Sequence, residues 1–405
     1  MKRVLYIHTE QKIKYGSHYI NDLIIEKLRK RSFKVDSIYP NKSLSLIPKN
    51  LVGISRILFF YSLITKKKML SKNEYDIIQG TTYTPLAFLG NGIPVISLFG
   101  STTWGFLKNV PSNIQLKEEK AELETIYRSL KVEKVIPNIE DVRESLKDIS
   151  KIEIYVAQNS DAVVATSKKV KEELIKNKVP SNKIHVIHNA IEDYWFKTKI
   201  NKKEKPFANL IYHGRIGDDA FTIKLKGVNR LIYIFSRFPK LNKKIIALCK
   251  NTENYSRVFS KIPKTKFYPS IEKNKIPDIL KNHYADIYVN TGRYEGFCLS
   301  LIEAMSQGLI PIIFPIGVAP EIIKNNYNGF IVNSLDEMEK KIKYLMNNQK
   351  KRKIMAERCI RTSMRFKSDK IVDKYERIYE KVTTRKKKEE IRIFSRISRI
   401  FKNKF

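Results

Sequence analysis

Short runs of apolar and β-branched residues alternate along the chain with segments whose apolar residues recur at spacings of three and four. The first pattern is typical of buried strands, and the second of helices that pack on them. Helices are predicted at Tyr19–Arg29, Gly227–Phe235 and Leu299–Gln307. Strands are predicted at Val4–Ile7, Lys34–Ile38, Asp76–Gln79, Pro94–Leu98, Ala162–Ala165, Ile184–His188, Asn209–His213, Ala285–Val289 and Leu309–Phe314. Because the two kinds of element alternate, the pattern predicts an α/β protein with parallel sheets covered by helices.

The elements fall into two blocks, separated by the polar linker Lys197–Pro206. A chain of 405 residues is too long for one ordinary core, and its 42% hydrophobic residues are enough to bury two. We therefore predict an N-terminal domain over residues 1–196 and a C-terminal domain over 207–365. Within the first domain, residues 107–152 are charged and mostly helical in pattern, which predicts an insertion. An acceptor lid, a partner surface and a structural decoration all fit that insertion.

Two acids flank a predicted junction between a loop and a helix, with Glu295 on the loop and Glu303 inside the helix. The helix begins near Phe297, Cys298 and Leu299. Backbone N–H groups at a helix N-terminus attract anions and can donate to sugar hydroxyls. On its own, however, a pair of acids beside a helix is more typical of a solvated helix face.

The order of residues around these acids is more specific than the pair itself. Residues 290–329 read N-T-G-R-Y-E-G-F-C-L-S-L-I-E-A-M-S-Q-G-L-I-P-I-I-F-P-I-G-V-A-P-E-I-I-K-N-N-Y-N-G. This order resembles the signature of glycosyltransferase family 4, in which two glutamates are separated by seven residues. Two positions depart from the family pattern: Cys298 replaces a glycine, and Gly317-Val318 stands where a Gly-Gly pair is common. Both departures bear on the sugar preference rather than on the nucleotide site.

The resemblance implies a GT-B architecture, in which two Rossmann-like domains with parallel sheets face an interdomain cleft. The donor would lie on the C-terminal side and the acceptor on the N-terminal side. Asp161–Leu174 and Lys183–Ile191 also resemble family segments. Phe366–Tyr379 resembles the family's last helix, which implies a helix over 366–382 that crosses back to the first domain.

The family often carries a histidine in an H-G pair after the strand predicted at Pro94–Leu98. This chain has Phe99-Gly100 there, so that histidine is absent. His8, Ser101 and Thr102 are candidates to contact substrate instead.

The resemblance also implies a cationic pair, Arg215 and Lys226, that binds the diphosphate of a nucleotide sugar. The leaving nucleoside diphosphate gains negative charge as the glycosidic bond breaks, and two fixed cations would stabilise it without a metal. Lys224 is a substitute for Lys226, since the spacing is longer than is usual in the family.

The two acids then acquire separate roles in the implied donor site. Glu303 would hold the ribose hydroxyls. Glu295, together with the amides of Phe297, Cys298 and Leu299, would orient the donor sugar. By this reading Glu295 joins the two cations as a catalytic residue, and we expect no metal and no cofactor beside the donor itself.

A formal net charge of +37 requires a partner or a compositional explanation. Basic residues bind nucleic acid by neutralising phosphates. No zinc-finger, homeodomain or RNA-recognition pattern accompanies the charge, so we expect no nucleic-acid partner. An anionic membrane surface and a general bias toward Lys, Ile and Asn both fit the charge.

The C-terminal segment 383–405 favours the membrane. Arg385–Phe405 holds nine Lys/Arg against two Glu. Apolar residues recur there at helical spacing: Ile393, Phe394, Ile397, Ile400 and Phe401. The pattern predicts a basic amphipathic helix in the membrane interface, with a solvated tail as the alternative. Leu51–Ile64 is too short to span a bilayer and fits either an interfacial or a buried helix.

The cysteines and the N-terminus indicate the compartment. Cys249, Cys298 and Cys359 form no C-x-x-C pair, which favours a reducing compartment and argues against a disulfide framework or a structural zinc site. The apolar run at the N-terminus is too short for a signal peptide. We expect a cytoplasmic protein that associates peripherally with the inner face of the membrane.

The resemblance, taken together with these features, implies a retaining, metal-independent glycosyltransferase of cell-envelope polysaccharide synthesis. It would move a sugar from a nucleotide-diphosphate-sugar donor to a hydroxyl of a lipid-linked saccharide or surface polysaccharide precursor. Two alternatives stay open: a nucleotide-sugar epimerase or phosphorylase of the same fold, and a basic nucleic-acid-binding protein.

Overall fold

The computed structural model describes residues 1–9, 16–40, 74–109, 128, 140–203, 205–216, 224–247, 253–269 and 271–402. Its N-terminal half contains a sheet of six parallel strands in the order β2-β1-β3-β4-β5-β6. The strands are β1 Lys2–Ile7, β2 Phe33–Ile38, β3 Ile77–Thr81, β4 Val95–Phe99, β5 Ala162–Ala165 and β6 Ile184–Val186. The accompanying helices are α1 Gly16–Arg29, α2 Thr103–Asn109, α3 Glu140–Asn159 and α4 Lys168–Lys176.

The C-terminal half contains a second sheet of six parallel strands, ordered β12-β11-β10-β7-β8-β9. The strands are β7 Leu210–Gly214, β8 Lys243–Ala247, β9 Thr265–Tyr268, β10 Ile287–Asn290, β11 Ile310–Ile313 and β12 Phe330–Ile331. The helices are α5 Tyr194–Lys197, α6 Val228–Ser236, α7 Glu253–Ser260, α8 Ile276–Leu280, α9 Leu299–Ser306, α10 Ala319–Ile322, α11 Leu335–Met346, α12 Gln349–Ser363 and α13 Ser368–Lys402. Short 3-10 turns lie at Leu86–Phe88, Ser181–Lys183, Lys273–Lys275 and Met364–Phe366. The predicted α/β class with two parallel sheets is confirmed.

Two of the predicted strands, β10 and β11, are buried at all four of their residues. Apart from Asn290 at the end of β10, both therefore read as apolar runs in the sequence. Three strands, β8, β9 and β12, were not predicted. β8 begins with two lysines, and the edge strand β9 is only partly buried.

The last helix returns to the N-terminal half and continues well past residue 382. Ile371, Tyr375 and Tyr379 of α13 pack into the N-terminal core, and the Tyr379 hydroxyl donates to Gln79 Oε1 at 2.7 Å. Arg31, which follows α1, pairs with Asp373 of α13 at 2.7 Å. The expected boundary between 382 and 383 therefore lies inside one helix, whose backbone is described to Lys402 and whose side chains are described to Lys386.

The expected insertion at 107–152 also has different limits. Helix α3 runs from Glu140 to Asn159, through the expected end at 152, and leads directly into β5. Its last part packs on β5 and α4, so it is an integral helix of the N-terminal half. Residues 110–127 and 129–139, like Leu51–Ile64 and Cys249, lie outside the described residues. Among the described helices, none combines the length and apolar character needed to cross a bilayer.

Candidate active site

A cleft of about 450 Å³ lies between the two halves, at the carboxyl ends of both sheets. Ligands of open α/β sheets bind at these ends, because strand-to-helix loops gather there. All seven predicted donor-site residues line it: Arg215, Lys226, Glu295, Phe297, Cys298, Leu299 and Glu303. Ser101 and Thr102 line it from the N-terminal half. His8 is not a lining residue, because it is 1% exposed and stacks on the Tyr39 ring at 4.1 Å.

The two predicted cations differ in their surroundings. Arg215 directly follows β7 and is exposed at the cleft. Lys226 forms an ion pair with Glu295, in which the two charges neutralise each other. Lys224 is 2% exposed and does not line the cleft, so of the two lysines only Lys226 is placed to reach a diphosphate.

Cys298 precedes α9 with a left-handed backbone, at φ +78° and ψ +72°. A residue with a Cβ is strained by about 1–2 kcal/mol in this conformation, which glycine adopts without that cost. The buried Cys298 Sγ accepts from Asn290 Nδ2 at 3.6 Å. Burial raises the pKa of Cys298 to about 12, so the thiol stays protonated and unreactive.

Glu303 belongs to a buried charged network that the sequence did not indicate. Its side chain is 2% exposed, and its Oε1 lies 2.9 Å from the Lys273 ammonium. Lys273 also lies 2.6 Å from Glu192 Oε1. Burial alone would lower the pKa of Lys273, but the two carboxylates outweigh it and the pKa is raised. Lys273 therefore stays charged in the wall of the cleft.

A buried histidine sits beside Glu303. Burial lowers the pKa of His213 to about 3, so its imidazole is neutral. Its Nε2–H donates to the Ser300 carbonyl at 2.9 Å, and the same nitrogen lies 3.7 Å from Glu303 Oε2. Glu303 Oε2 therefore receives no proton from this ring.

The loop that carries Glu295 is held by the opposite half of the molecule. The Tyr294 hydroxyl donates to Glu173 Oε2 at 2.9 Å and accepts from the Thr102 N–H at 3.1 Å. The Ser167 hydroxyl donates to the Gly296 carbonyl at 2.6 Å. These contacts place Glu295 by docking one half against the other.

Glu321 makes a second bridge between the halves. Its Oε2 lies 3.0 Å from His188 Nε2, and its Oε1 accepts the Lys168 N–H at 2.7 Å. The P-E-I-I segment of the sequence signature thus has a structural role at the domain contact, in addition to following the glutamate pair.

The N-terminal wall of the cleft is polar but nearly uncharged. It presents hydroxyls and amides from Thr9, Asn21, Thr81, Thr82, Ser101, Thr102, Thr103, Thr166 and Asn189. Among the described lining residues of this half, Glu153 alone is titratable. It accepts the Thr103 N–H at 2.9 Å, and burial raises its pKa to about 7. The cationic groups thus lie on the C-terminal wall, and neutral donors and acceptors face them.

Family models match both halves of the chain. Residues 23–193 match the model described as Glycosyltransferase Family 4, and residues 220–361 match Glycosyl transferases group 1. A fold of two parallel-sheet halves with a charged cleft defines the class of GT-B glycosyltransferases. The chain belongs to this class, as a member of the family 4 and group 1 glycosyltransferases.

Individual relatives agree with this assignment. The chain is 28% identical over 245 residues to an uncharacterized glycosyltransferase of Methanocaldococcus jannaschii, a match that covers 56% of this chain and 60% of that protein. It is 26% identical over 377 residues to the UDP-Gal:alpha-D-GlcNAc-diphosphoundecaprenol alpha-1,3-galactosyltransferase of Escherichia coli, covering 82% of each. The match to the archaeal relative thus spans under two thirds of that protein's length.

Solved structures show the same fold at low sequence identity. Sucrose-phosphate synthase from Thermosynechococcus elongatus superposes with a TM-score of 0.69 at 13% identity, covering 95% of this chain and 100% of that chain. Anabaena HepE in complex with UDP superposes with a TM-score of 0.62 at 14% identity, covering 94% and 100%. At such identities the likeness concerns the fold alone.

Proposed function

We propose that the chain transfers a sugar, with retention and without a metal, from a nucleotide-diphosphate-sugar donor to a hydroxyl of a lipid-linked saccharide or surface polysaccharide precursor. One observation carries the proposal. The C-terminal wall of a single cleft gathers Arg215, Lys226, Glu295 and Glu303 around the first turn of α9. Two cations suit a diphosphate, and carboxylates suit the hydroxyls of a ribose and a sugar.

A uridine nucleotide is the donor that the comparisons favour. The Escherichia coli relative is a UDP-Gal-dependent transferase, and Anabaena HepE has been solved with UDP and with UDP-glucose. The proposal assigns Arg215 and Lys226 to the diphosphate and Glu303 to the ribose. When the donor enters, Lys226 exchanges its pairing with Glu295 for the diphosphate, and Glu295 turns to the donor sugar.

The chemistry then needs few protein groups. The bond between the sugar C1 and the diphosphate oxygen breaks, and its electron pair leaves with the nucleoside diphosphate. Arg215 and Lys226 stabilise the charge that develops there. The acceptor oxygen bonds to C1 on the same face, and its proton passes to the departing diphosphate oxygen. The absence of a histidine after β4 is compatible with this step, because the leaving group itself takes the proton.

The acceptor would occupy the N-terminal wall. Its hydroxyls and amides suit a neutral sugar ring, and the relative from Escherichia coli acts on a saccharide linked to diphosphoundecaprenol. A lipid-linked acceptor requires the enzyme to approach a membrane surface. The basic C-terminal end of α13 supports peripheral association with an anionic membrane.

A donor panel tests the proposal. Purified protein is incubated with UDP-, GDP- and ADP-sugars and a GlcNAc-diphospho-lipid acceptor, and NMR of the product reports the anomeric configuration. We expect an acceptor-dependent product with a retained anomer. Arg215→Ala should abolish it, whereas Arg257→Ala, an exposed arginine outside the cleft lining, should not.

Other outcomes would contradict the proposal in distinct ways. Donor turnover without acceptor would indicate an epimerase or phosphorylase. An inverted product would overturn the retaining mechanism, and loss of activity with chelator would overturn metal independence. Failure of every nucleotide sugar, together with tight binding of mixed DNA or RNA, would favour the nucleic-acid alternative.

A further inference from the structure

Lys273 is a buried cation in the wall of the donor cleft. Its ammonium lies between two carboxylates, 2.6 Å from Glu192 Oε1 and 2.9 Å from Glu303 Oε1. The side chains of all three residues are at most 5% exposed. In so basic a chain most lysines are solvated surface charges, but a lysine this buried must be paired to remain charged.

The network leaves Glu303 with one oxygen for a ligand. Its Oε1 is committed to Lys273. Its Oε2 faces His213, whose only proton is donated to the Ser300 carbonyl. Oε2 is therefore the oxygen of Glu303 that can accept a hydrogen bond from a ligand hydroxyl, in a cleft that Glu303 lines.

The charge balance of the network depends on Lys273. Glu192 has its own neutral donor, because Trp195 Nε1–H bonds to Glu192 Oε2 at 3.0 Å. Without Lys273, two carboxylates would share one buried space, and one of them would take up a proton. Among the described residues, the other titratable groups beside the network are Tyr19, whose ring centre lies 5.7 Å from the ammonium, Tyr194, whose hydroxyl bonds to Glu192, and the neutral His213. None of the three supplies a compensating positive charge.

We propose that Lys273 is a positioning residue of the ribose site. It keeps Glu303 ionised, fixes Oε1, presents Oε2 to the nucleotide, and so sets a preference for ribonucleotides over 2′-deoxyribonucleotides. This inference rests on the proposed function, because it takes Glu303 to be the ribose acceptor. A charged carboxylate gains a stronger hydrogen bond from a ribose hydroxyl than a protonated one does.

Calorimetry with UDP and 2′-deoxy-UDP tests the inference, since the ratio of the two affinities isolates the hydroxyl contact. The wild type should favour UDP by about ten-fold or more, with a ratio that is constant from pH 6 to pH 8. Lys273→Met should lower the ratio to below about three-fold at pH 6, with partial recovery at pH 8 as Glu303 ionises. A merely structural role for Lys273 would weaken both nucleotides equally and leave the ratio independent of pH.

Two further variants keep the test decisive. Lys275→Met alters the same turn, but Lys275 is 69% exposed and should leave the ratio at the wild-type value. If Lys273→Met fails to fold, Glu192→Gln combined with Lys273→Met removes the like-charge pair. That double variant should show a lowered ratio, because Glu303 Oε1 is no longer held, but a ratio that no longer depends on pH.

Each failure has its own meaning. A wild-type ratio in the folded Lys273 variants would overturn the role of Lys273 alone. Equal binding of the two nucleotides by the wild type would overturn the ribose assignment of Glu303 and the Lys273 inference with it. Failure of the wild type to bind UDP, GDP or ADP would contradict the proposed function itself.

Discussion

Gly296 offers a sharp test of how the two halves assemble the site. A Cβ on Gly296 would lie 1.8 Å from the Gly100 carbonyl oxygen and 2.7 Å from Ser101 Cα, both backbone atoms of the opposite half. Ordinary contacts begin at about 3.5 Å, so Gly296→Ala would force the halves apart by roughly 1.7 Å at this point. Because backbone cannot rotate away, the substitution acts on the domain contact itself.

The displacement should disable transfer and spare donor binding. Overpacking of this kind costs about 1–3 kcal/mol, which weakens the docked arrangement. It would break the bond from Ser167 to the Gly296 carbonyl and move the adjacent Glu295. A misplacement of about 1 Å can cost on the order of 100-fold in rate, so we expect a fall of that size in kcat/KM. Affinity for UDP should change little, since the donor groups lie on the C-terminal wall.

The assay combines initial transfer rates with calorimetry of UDP. Gly292→Ala is the matched control in the same loop, because its Cβ would meet Ile316 Cδ1 at 3.0 Å and Asn290 Oδ1 at 3.1 Å, which are side-chain atoms able to yield. It should keep most of the activity. Wild-type kcat/KM in Gly296→Ala would refute the reasoning, and so would an equal loss in Gly292→Ala.

Three further predictions concern single positions and the tail. Because Cys298 has φ +78°, Cys298→Gly should have a melting temperature at or above that of the wild type. Cys298→Ala should melt below both, since alanine keeps the backbone strain and loses the contacts of the thiol. An Ala variant that melts above the Gly variant would contradict this prediction. Burial raises the pKa of Glu153 to about 7, so the folded state binds its proton more tightly than the unfolded chain and stability should fall as pH rises from about 5 to 7. Glu153→Gln should remove that fall and melt above the wild type at pH 8, with a smaller difference at pH 5; equal melting temperatures at both pH values would speak against it. Removal of residues 387–405 should reduce flotation with anionic vesicles but not the affinity for UDP, and unchanged flotation would defeat the membrane role of the tail.

The strands were predictable where burial on both faces requires a run of apolar residues. Tyr288 and Val289 lie in a strand covered on both faces, so an apolar run was sufficient to predict it. Lys243 shows where prediction of strands from local sequence patterns fails. It begins β8 and is 1% exposed, yet its ammonium donates to the Leu241 and Pro263 carbonyls, an arrangement that no local pattern indicates.

The site was predictable only in part, for a related reason. Glu295 and Glu303 belong to one contiguous sequence signature, and Arg215 and Lys226 belong to another. Both pairs could therefore be found from the order of residues along the chain alone. Lys273 and Glu192 are ordinary charged residues, far from Glu303 in the sequence, that become partners only after the sheets are assembled. The contacts that hold Tyr294 likewise depend on docking of the halves, which no single segment encodes.

The central claim is that Glu303 lies in a nucleotide site on the C-terminal wall of the cleft. Its most direct test is calorimetry of UDP with the wild type, with Glu303→Ala, and with Asp336→Ala as an exposed control outside the cleft lining. Loss of a charge-assisted hydrogen bond should weaken binding about ten-fold or more in Glu303→Ala, while the control stays at the wild-type affinity. Undiminished affinity in a folded Glu303→Ala variant would contradict the account.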